Sequence, residues 1–309
     1  LVLNHVQSAI QNKVLASNWI GEQSKQYIVH KLQKIYSVIG YDNWLTDKAQ
    51  VDDYYKSLRC DDGDDFLTCF VAAHSFTNQK LLSLLDKDPN PSNVEPRFFA
   101  MSPFYIAYRN GLIAPQATFA FPFYGGDMPV AALYSTIGYY LGHEIGHAID
   151  HVGMERNNMD PSKELLSEEG WNHFDNVSNC FIQSGNNVCS SHMENLCLDG
   201  ANIINELLAQ DIGMKAAMAA LIHQLQERNA TSLPLVSSRL TDMQLFFLYY
   251  AQTQCEVMSR FTRRAQFCSK IPPAEEQVLS TLRNVREFSE AFQCPIGSFM
   301  RPSESCHFL

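Results

Sequence analysis

Residues 139–150, YYLGHEIGHAID, carry two histidines four apart with a glutamate directly after the first. On an α-helix, residues i and i+4 lie one turn apart on the same face, so His143 and His147 can grip one metal ion together. Glu144 projects near that ion without ligating it. There it can take a proton from water that the ion activates and later hand it to a leaving amine. This is the chemistry of peptide-bond hydrolysis at a zinc centre. A five-residue match of this kind arises by chance in on the order of one chain in a hundred of this length. Here it lies in a stretch with its own helical periodicity, and small residues, Gly142 and Gly146, flank the histidines.

Catalytic zinc takes three protein ligands and keeps one position open. His151 is a poor third ligand, because it is one turn from His147 but two from His143 and drifts around the helix. The better candidates lie in SHMENLCLDGAN, residues 191–202. Glu194 is expected to open a second helix crossing the first, completing a site of two histidines and one glutamate. His192 stays open as a competitor on spacing alone. The cofactor expected is one zinc ion.

These groups must be positioned by regular elements. Residues 3–39 carry apolar positions at helical spacing with a break near 17–22, and Gly40 reads as the stop. YDNWLTDKAQVDDYYKSL predicts a turn and an acidic helix, and CDDGDDFLTC a polar loop whose Cys60 and Cys69 can close on each other. A helix is expected over 77–85, and DKDPNPSNVEP is the most linker-like stretch. RFFAMSPFYIAYRNGLIAPQATFAF is aromatic and β-prone, predicting two short strands or a strand and an extended loop. Helical patterns follow from Pro129 onward, with helices expected at 195–225, 241–265 and 274–292.

Composition narrows the class. The 309 residues are 46% apolar and 18% charged, enough for one large domain or two smaller ones. A net charge of -10 with no basic run argues against a nucleic-acid partner. No apolar run is long enough to span a bilayer, and the start has neither the charge layout nor the cleavage site of a signal peptide. The chain begins with Leu1, so any targeting segment or membrane anchor is expected upstream of it. Nine cysteines without a CxxC spacing favour disulfides in an oxidising, extracellular setting. Two glycosylation sequons, at Asn176 and Asn229, agree with that placement.

Beyond the zinc motif, the chain resembles the C-terminal portion of the neprilysin and endothelin-converting enzyme family of zinc endopeptidases. SPFY at 102–105 stands where that family has Asn-Ala-Phe-Tyr, and MEN at 193–195 where it has Gly-Glu-Asn. QLFFLYYAQTQC at 244–255, EFSEAFQC at 287–294 and the closing CHFL follow in the family's order. The resemblance implies a mainly α, thermolysin-like (gluzincin) catalytic domain over 95–309 with a small β element. It has an HExxH helix and a second helix bearing the third ligand. Residues 1–94 would be the end of a preceding helical region. It implies His143, His147 and Glu194 as zinc ligands and Glu144 as general base and acid. Ser102, Phe104 and Tyr105 would contact substrate, peptides being the expected partners. It also implies a Cys180–Cys306 disulfide, with partners for Cys255 and Cys294 lying on chain that is not present here.

The chain departs from that pattern in four places. The family sets an aspartate four residues after its zinc glutamate to hold a zinc histidine; counted from Glu194 that place is Leu198, with Asp199 one residue late. Aligned on STLRN at 280–284, the family's oxyanion histidine becomes Ile271 and its substrate-gripping arginine Gln277. Ser102 replaces an asparagine that holds the substrate main chain. Tyr140 is bulkier than the family's small apolar residue and is expected to narrow the pocket. The expectation is a neprilysin-type metalloendopeptidase of impaired activity. The competing readings are a zinc-binding pseudo-peptidase that binds peptides or a protein partner without turnover, and a helical secreted domain whose motif is incidental.

Overall fold

A computed structural model describes residues 1–85, 102–157, 162–227 and 240–309. It is mainly helical, with one three-stranded sheet. The N-terminal stretch forms α1 (Val2–Ala16) and α2 (Glu22–Gln33), broken where expected. Val6, Ile10 and Val14 recur every four residues on α1, and Ile28 and Leu32 do so on α2, so each helix buries one stripe. The segment after α2 is a strand, β1 (Tyr36–Gly40), where the periodicity had predicted helix. Val38 and Ile39 suit a pleated surface, and β1 pairs in parallel with β3 (Gly111–Pro115). Gly40, at φ +83°, therefore ends a strand. β2 (Phe104–Ile106) pairs antiparallel on the other side of β3 and is an edge strand.

Helix α3 (Lys48–Tyr55) follows the turn as expected, and α4 spans Phe66–Leu82, longer than the 77–85 read from the sequence. The Cys60–Cys69 disulfide closes the acidic loop between them. Residues 130–146 form a nearly continuous rod: α5 (Val130–Leu133), a π-helical stretch (Tyr134–Gly138) and α6 (Tyr139–Gly146), which carries the zinc motif. Such π-bulges concentrate at functional sites. A short α7 (His151–Met154) and a long α8 (Glu168–Asn186) come next.

The predicted helix at 195–225 begins instead at Ile204, as α9 (Ile204–Glu227). The residues before it form a bridged loop and a turn. A Cys189–Cys197 disulfide joins two segments whose backbones also pair, Ser190 N–H donating to Leu196 (2.8 Å) and Leu198 N–H to Val188 (2.9 Å). Asn195 sits at φ +56°, which no helix allows. Helix 241–265 is split into α10 (Asp242–Thr253) and α11 (Arg260–Phe267), and 274–292 into α12 (Ala274–Leu282) and α13 (Arg286–Ala291). The Cys180–Cys306 disulfide ties α8 to the C-terminus, closing a separation of 126 residues. The division expected at 94–95 lies outside the described residues. On the described side, α1 and α2 share one core cluster with α6, α9 and α10.

The centre of that core is the crossing of α6 over α9, and small residues make it close. A Cβ on Gly213 would lie 2.5 Å from the His143 backbone nitrogen. One on Gly146 would lie 2.9 Å from the Cα of Ala209, and one on Gly142 3.1 Å from the Cα of Gly213. The blocking atoms are backbone, so neither helix can yield by turning a side chain. Gly213→Ala is therefore expected to force the helices apart, at about 1–3 kcal/mol or more. Thermal unfolding of the variant checks this, and an unchanged midpoint would show that the crossing has slack.

Candidate metal centre

α6 presents His143 and His147 on one face, their Nε2 atoms 3.2 Å apart. α9 brings in Glu206 from its first turn. One Glu206 oxygen lies 3.4 Å from His143 Nε2 and the other 3.7 Å from His147 Nε2. Zinc–nitrogen bonds of about 2.05 Å in a tetrahedron set ligand atoms roughly 3.3 Å apart. Each carboxylate oxygen faces one imidazole near that spacing, and one ligand atom from each residue lies within 4.8 Å of the others, so the residues present fit a zinc ion. Among the described residues this is the one group of three or more His, Cys, Asp or Glu side chains able to hold a metal.

The acid that the fold brings to the two histidines is thus Glu206, in place of the expected Glu194. Glu194 is exposed in the loop closed by Cys189–Cys197, which precedes the crossing helix and is not part of it. His192 is exposed as well and pairs with Glu275 at 3.0 Å. Asp199 faces solvent, its carboxylate accepting the backbone N–H of Asn202. The signal for Glu206 was present: it is the acid at the head of a strongly apolar helix whose Ala209 and Gly213 answer Gly146 and Gly142. The MEN triplet drew the reading away from it.

Moving the ligand also moves its partner position. Four residues after Glu206 stands Gln210, fully buried, with its carbonyl accepting from Thr281 at 3.0 Å. Its amide nitrogen and His143 Nδ1 are both buried without a hydrogen-bond partner among the described residues. The departure assigned to Leu198 therefore falls at Gln210, an amide that supplies no charge. For His147 the orienting carboxylate is Asp150, 2.7 Å from Nδ1, a residue the sequence reading passed over. Asp150 also caps α7 by accepting the Gly153 N–H at 2.7 Å.

Electrostatics separate the carboxylates. Burial pushes the Glu144 pKa up, an effect that His143 and His147 only partly oppose. Burial acts in the same direction on Glu206, but its bond to His143 and the charges of both histidines hold it below the ordinary value. Burial depresses His147, yet Asp150, Glu144 and Glu206 outweigh it and lift the imidazole to about 9. The site is thus built for a cation. The backbone N–H of Tyr105, on the edge strand β2, contacts the Glu144 carboxylate. Of the other expected contacts, Ser102 is exposed just before β2, Phe104 is half-buried, and the Tyr105 hydroxyl donates to Asn110 at 2.7 Å. Tyr140 packs edge-on against Phe123, and its hydroxyl accepts from Gln254 at 2.9 Å.

This geometry has known counterparts. The peptidase family M13 profile matches residues 102–308, two thirds of the chain. The chain belongs to peptidase family M13. Neprilysin-1 of Caenorhabditis elegans is 27% identical over 308 residues, covering 99% of this chain and 41% of its own length. Endothelin-converting enzyme 1 of Rattus norvegicus is 26% identical over 306 residues, covering 99% and 40%. The M13 chain described here thus spans about two fifths of the length of these relatives. Among solved structures, the Mycobacterium tuberculosis zinc metalloprotease Zmp1 superposes with a TM-score of 0.79 at 21% identity, over 99% of this chain and 46% of that one. The Haemonchus galactose-containing glycoprotein complex does so with 0.82 at 18%, over 99% and 49%. These likenesses support the gluzincin fold of this M13 chain.

Replacing Glu206 by alanine is expected to lower zinc affinity by about 100-fold or more, since it removes one of three ligands outright. Glu194→Ala should leave affinity unchanged. Competition with a chromophoric chelator measures both, and the reverse ranking would restore the original assignment.

Proposed function

We propose that this chain is the zinc endopeptidase centre of an M13 protein, cleaving short extracellular peptides with reduced turnover. The observation that carries the reading is the His143–His147–Glu206 triangle with buried Glu144 beside it, His143 Nε2 lying 4.0 Å from the Glu144 carboxylate. An ion held only for structure has no use for a base at that position.

Bound zinc supplies a Lewis acid that draws the pKa of water in its open position toward neutrality. His143 and His147 would hold the ion from one helix and Glu206 from the other. Asp150 fixes His147 so that Nε2 faces inward. Glu144, its pKa lifted by burial, takes the proton of the attacking water and returns it to the departing amine. The Tyr105 N–H steadies that carboxylate, and β2, with Ser102, Phe104 and Tyr105, offers an extended substrate an edge to lie along.

The reduced turnover follows from two positions. Ile271 is 56% exposed and offers hydrocarbon where the resemblance implies an oxyanion donor. Gln277 spends its amide N–H on the Pro272 carbonyl at 2.6 Å. Losing one such donor costs about 10²–10³ in turnover in hydrolases. Three disulfides and an exposed Asn176 on α8 support the extracellular placement; Asn229 lies outside the described residues. Among the described residues no helix is long and apolar enough to cross a membrane.

Glu144→Gln is expected to retain zinc and abolish cleavage of a quenched peptide library. The pair Ile271→His with Gln277→Arg should raise kcat at least about tenfold. Zinc-loaded wild-type protein that cleaves nothing would overturn the endopeptidase reading and leave a peptide-binding pseudo-peptidase in its place.

A further inference from the structure

Lys31, on α2, is fully buried. An ammonium in the interior costs several kcal/mol unless it is well bonded, so its partners indicate what it is there to hold. Its Nζ donates to the carbonyl of Gly153 and, at 2.8 Å, to that of Arg156. These carbonyls lie at and just beyond the C-terminal end of α7, where a cation is favoured, and that of Gly153 also accepts the Arg156 N–H at 3.2 Å. Burial pulls the Lys31 pKa down to about 8, with Asp150 opposing the fall, so at neutral pH the side chain still carries its charge.

The turn that Lys31 grips is the one that aims Asp150. The Gly153 N–H donates to one Asp150 oxygen at 2.7 Å, and the other oxygen meets His147 Nδ1 at 2.7 Å. The turn lies flush against the end of the motif helix: a Cβ on Gly153 would sit 2.4 Å from the His147 carbonyl oxygen. On its other side, the Lys31 carbonyl accepts from Asn110 at 2.9 Å, and Asn110, held at φ +49°, accepts the Tyr105 hydroxyl. Tyr105 in turn contacts Glu144 through its backbone N–H.

We infer that Lys31 is a positioning residue for the metal centre, fixing the 150–156 turn that holds His147 in ligating orientation and, through Asn110, the strand that steadies Glu144. The inference rests on the zinc reading above and adds to it a part for a residue more than 110 positions upstream of the ligands. Its effect on zinc affinity acts through Asp150 and His147, so that effect must vanish when Asp150 is gone.

The test is a double-mutant cycle on zinc affinity, read by chelator competition, with the visible spectrum of the cobalt-substituted protein as a geometric signature. Asp150→Ala is expected to weaken zinc about 10–100-fold and Lys31→Met about tenfold with an altered cobalt spectrum. The double variant should be no weaker than Asp150→Ala alone. Additive losses, or wild-type affinity and spectrum in a Lys31→Met protein that merely melts lower, would overturn the inference. If Lys31→Met does not fold, Lys31→Gln takes its place in the cycle; if neither folds, the lysine is structural and the inference is overturned. Wild-type protein that takes up no zinc removes the zinc reading together with this one, whereas tight wild-type binding with an indifferent Lys31 variant removes this one alone.

Discussion

The site depends on how closely two helices cross. α6 and α9 meet through Gly142, Gly146, Ala209 and Gly213, with no room for a further methyl group at the glycines. Because the approach is that close, a short glutamate side chain on the first turn of α9 reaches both imidazoles on α6. Side chains of ordinary size at the crossing would hold the axes 8–10 Å apart and put the carboxylate out of ligand range. α9 can serve as the fixed member because most of its middle, Leu207–Met218, is buried on every side by α1, α6 and α8.

Behind the metal ligands the polar groups form a continuous chain: His147, Asp150, Gly153, Lys31, Asn110, Tyr105 and back to Glu144. Buried polar groups are tolerable only when bonded, and here each bond also fixes a direction the chemistry requires. At the positions that the resemblance assigns to substrate the case differs. Ile271 and Gln277 face the other way chemically, one apolar and exposed, the other bonded to its own loop. Gln210 leaves the Nδ1 of His143 without a charged partner. Holding an ion and stabilising a transition state are separate demands, and the groups that the fold brings together at His143, His147 and Glu206 answer the first.

Disulfides shape the region next to the site. The Cys189–Cys197 bridge and the backbone pairing around it close residues 190–196 into a loop, and α9 starts beyond that loop at Ile204. The Cys180–Cys306 bridge anchors the tail whose Phe308 packs on Trp19 and Phe174. Cys255, Cys268 and Cys294 are free.

Local patterns determined much of this. The i, i+4 histidines with their glutamate, the helical stripes of α1 and α2, the β-prone 102–115 segment and the family to which the chain belongs were all legible, because each rests on spacing within a turn or two. The third ligand was not legible, nor were the partner of His147, the strand at 36–40 and the splitting of 241–265 and 274–292. A glutamate becomes a ligand only when a crossing angle and a contact distance place it, and a triplet such as MEN can imitate the motif while a disulfide holds it in a loop. β1 likewise exists because β3, more than 70 residues away, supplies its hydrogen bonds. Tertiary contact alone decided which of several acids faces the histidine pair, since no local pattern encodes a distance between residues sixty positions apart.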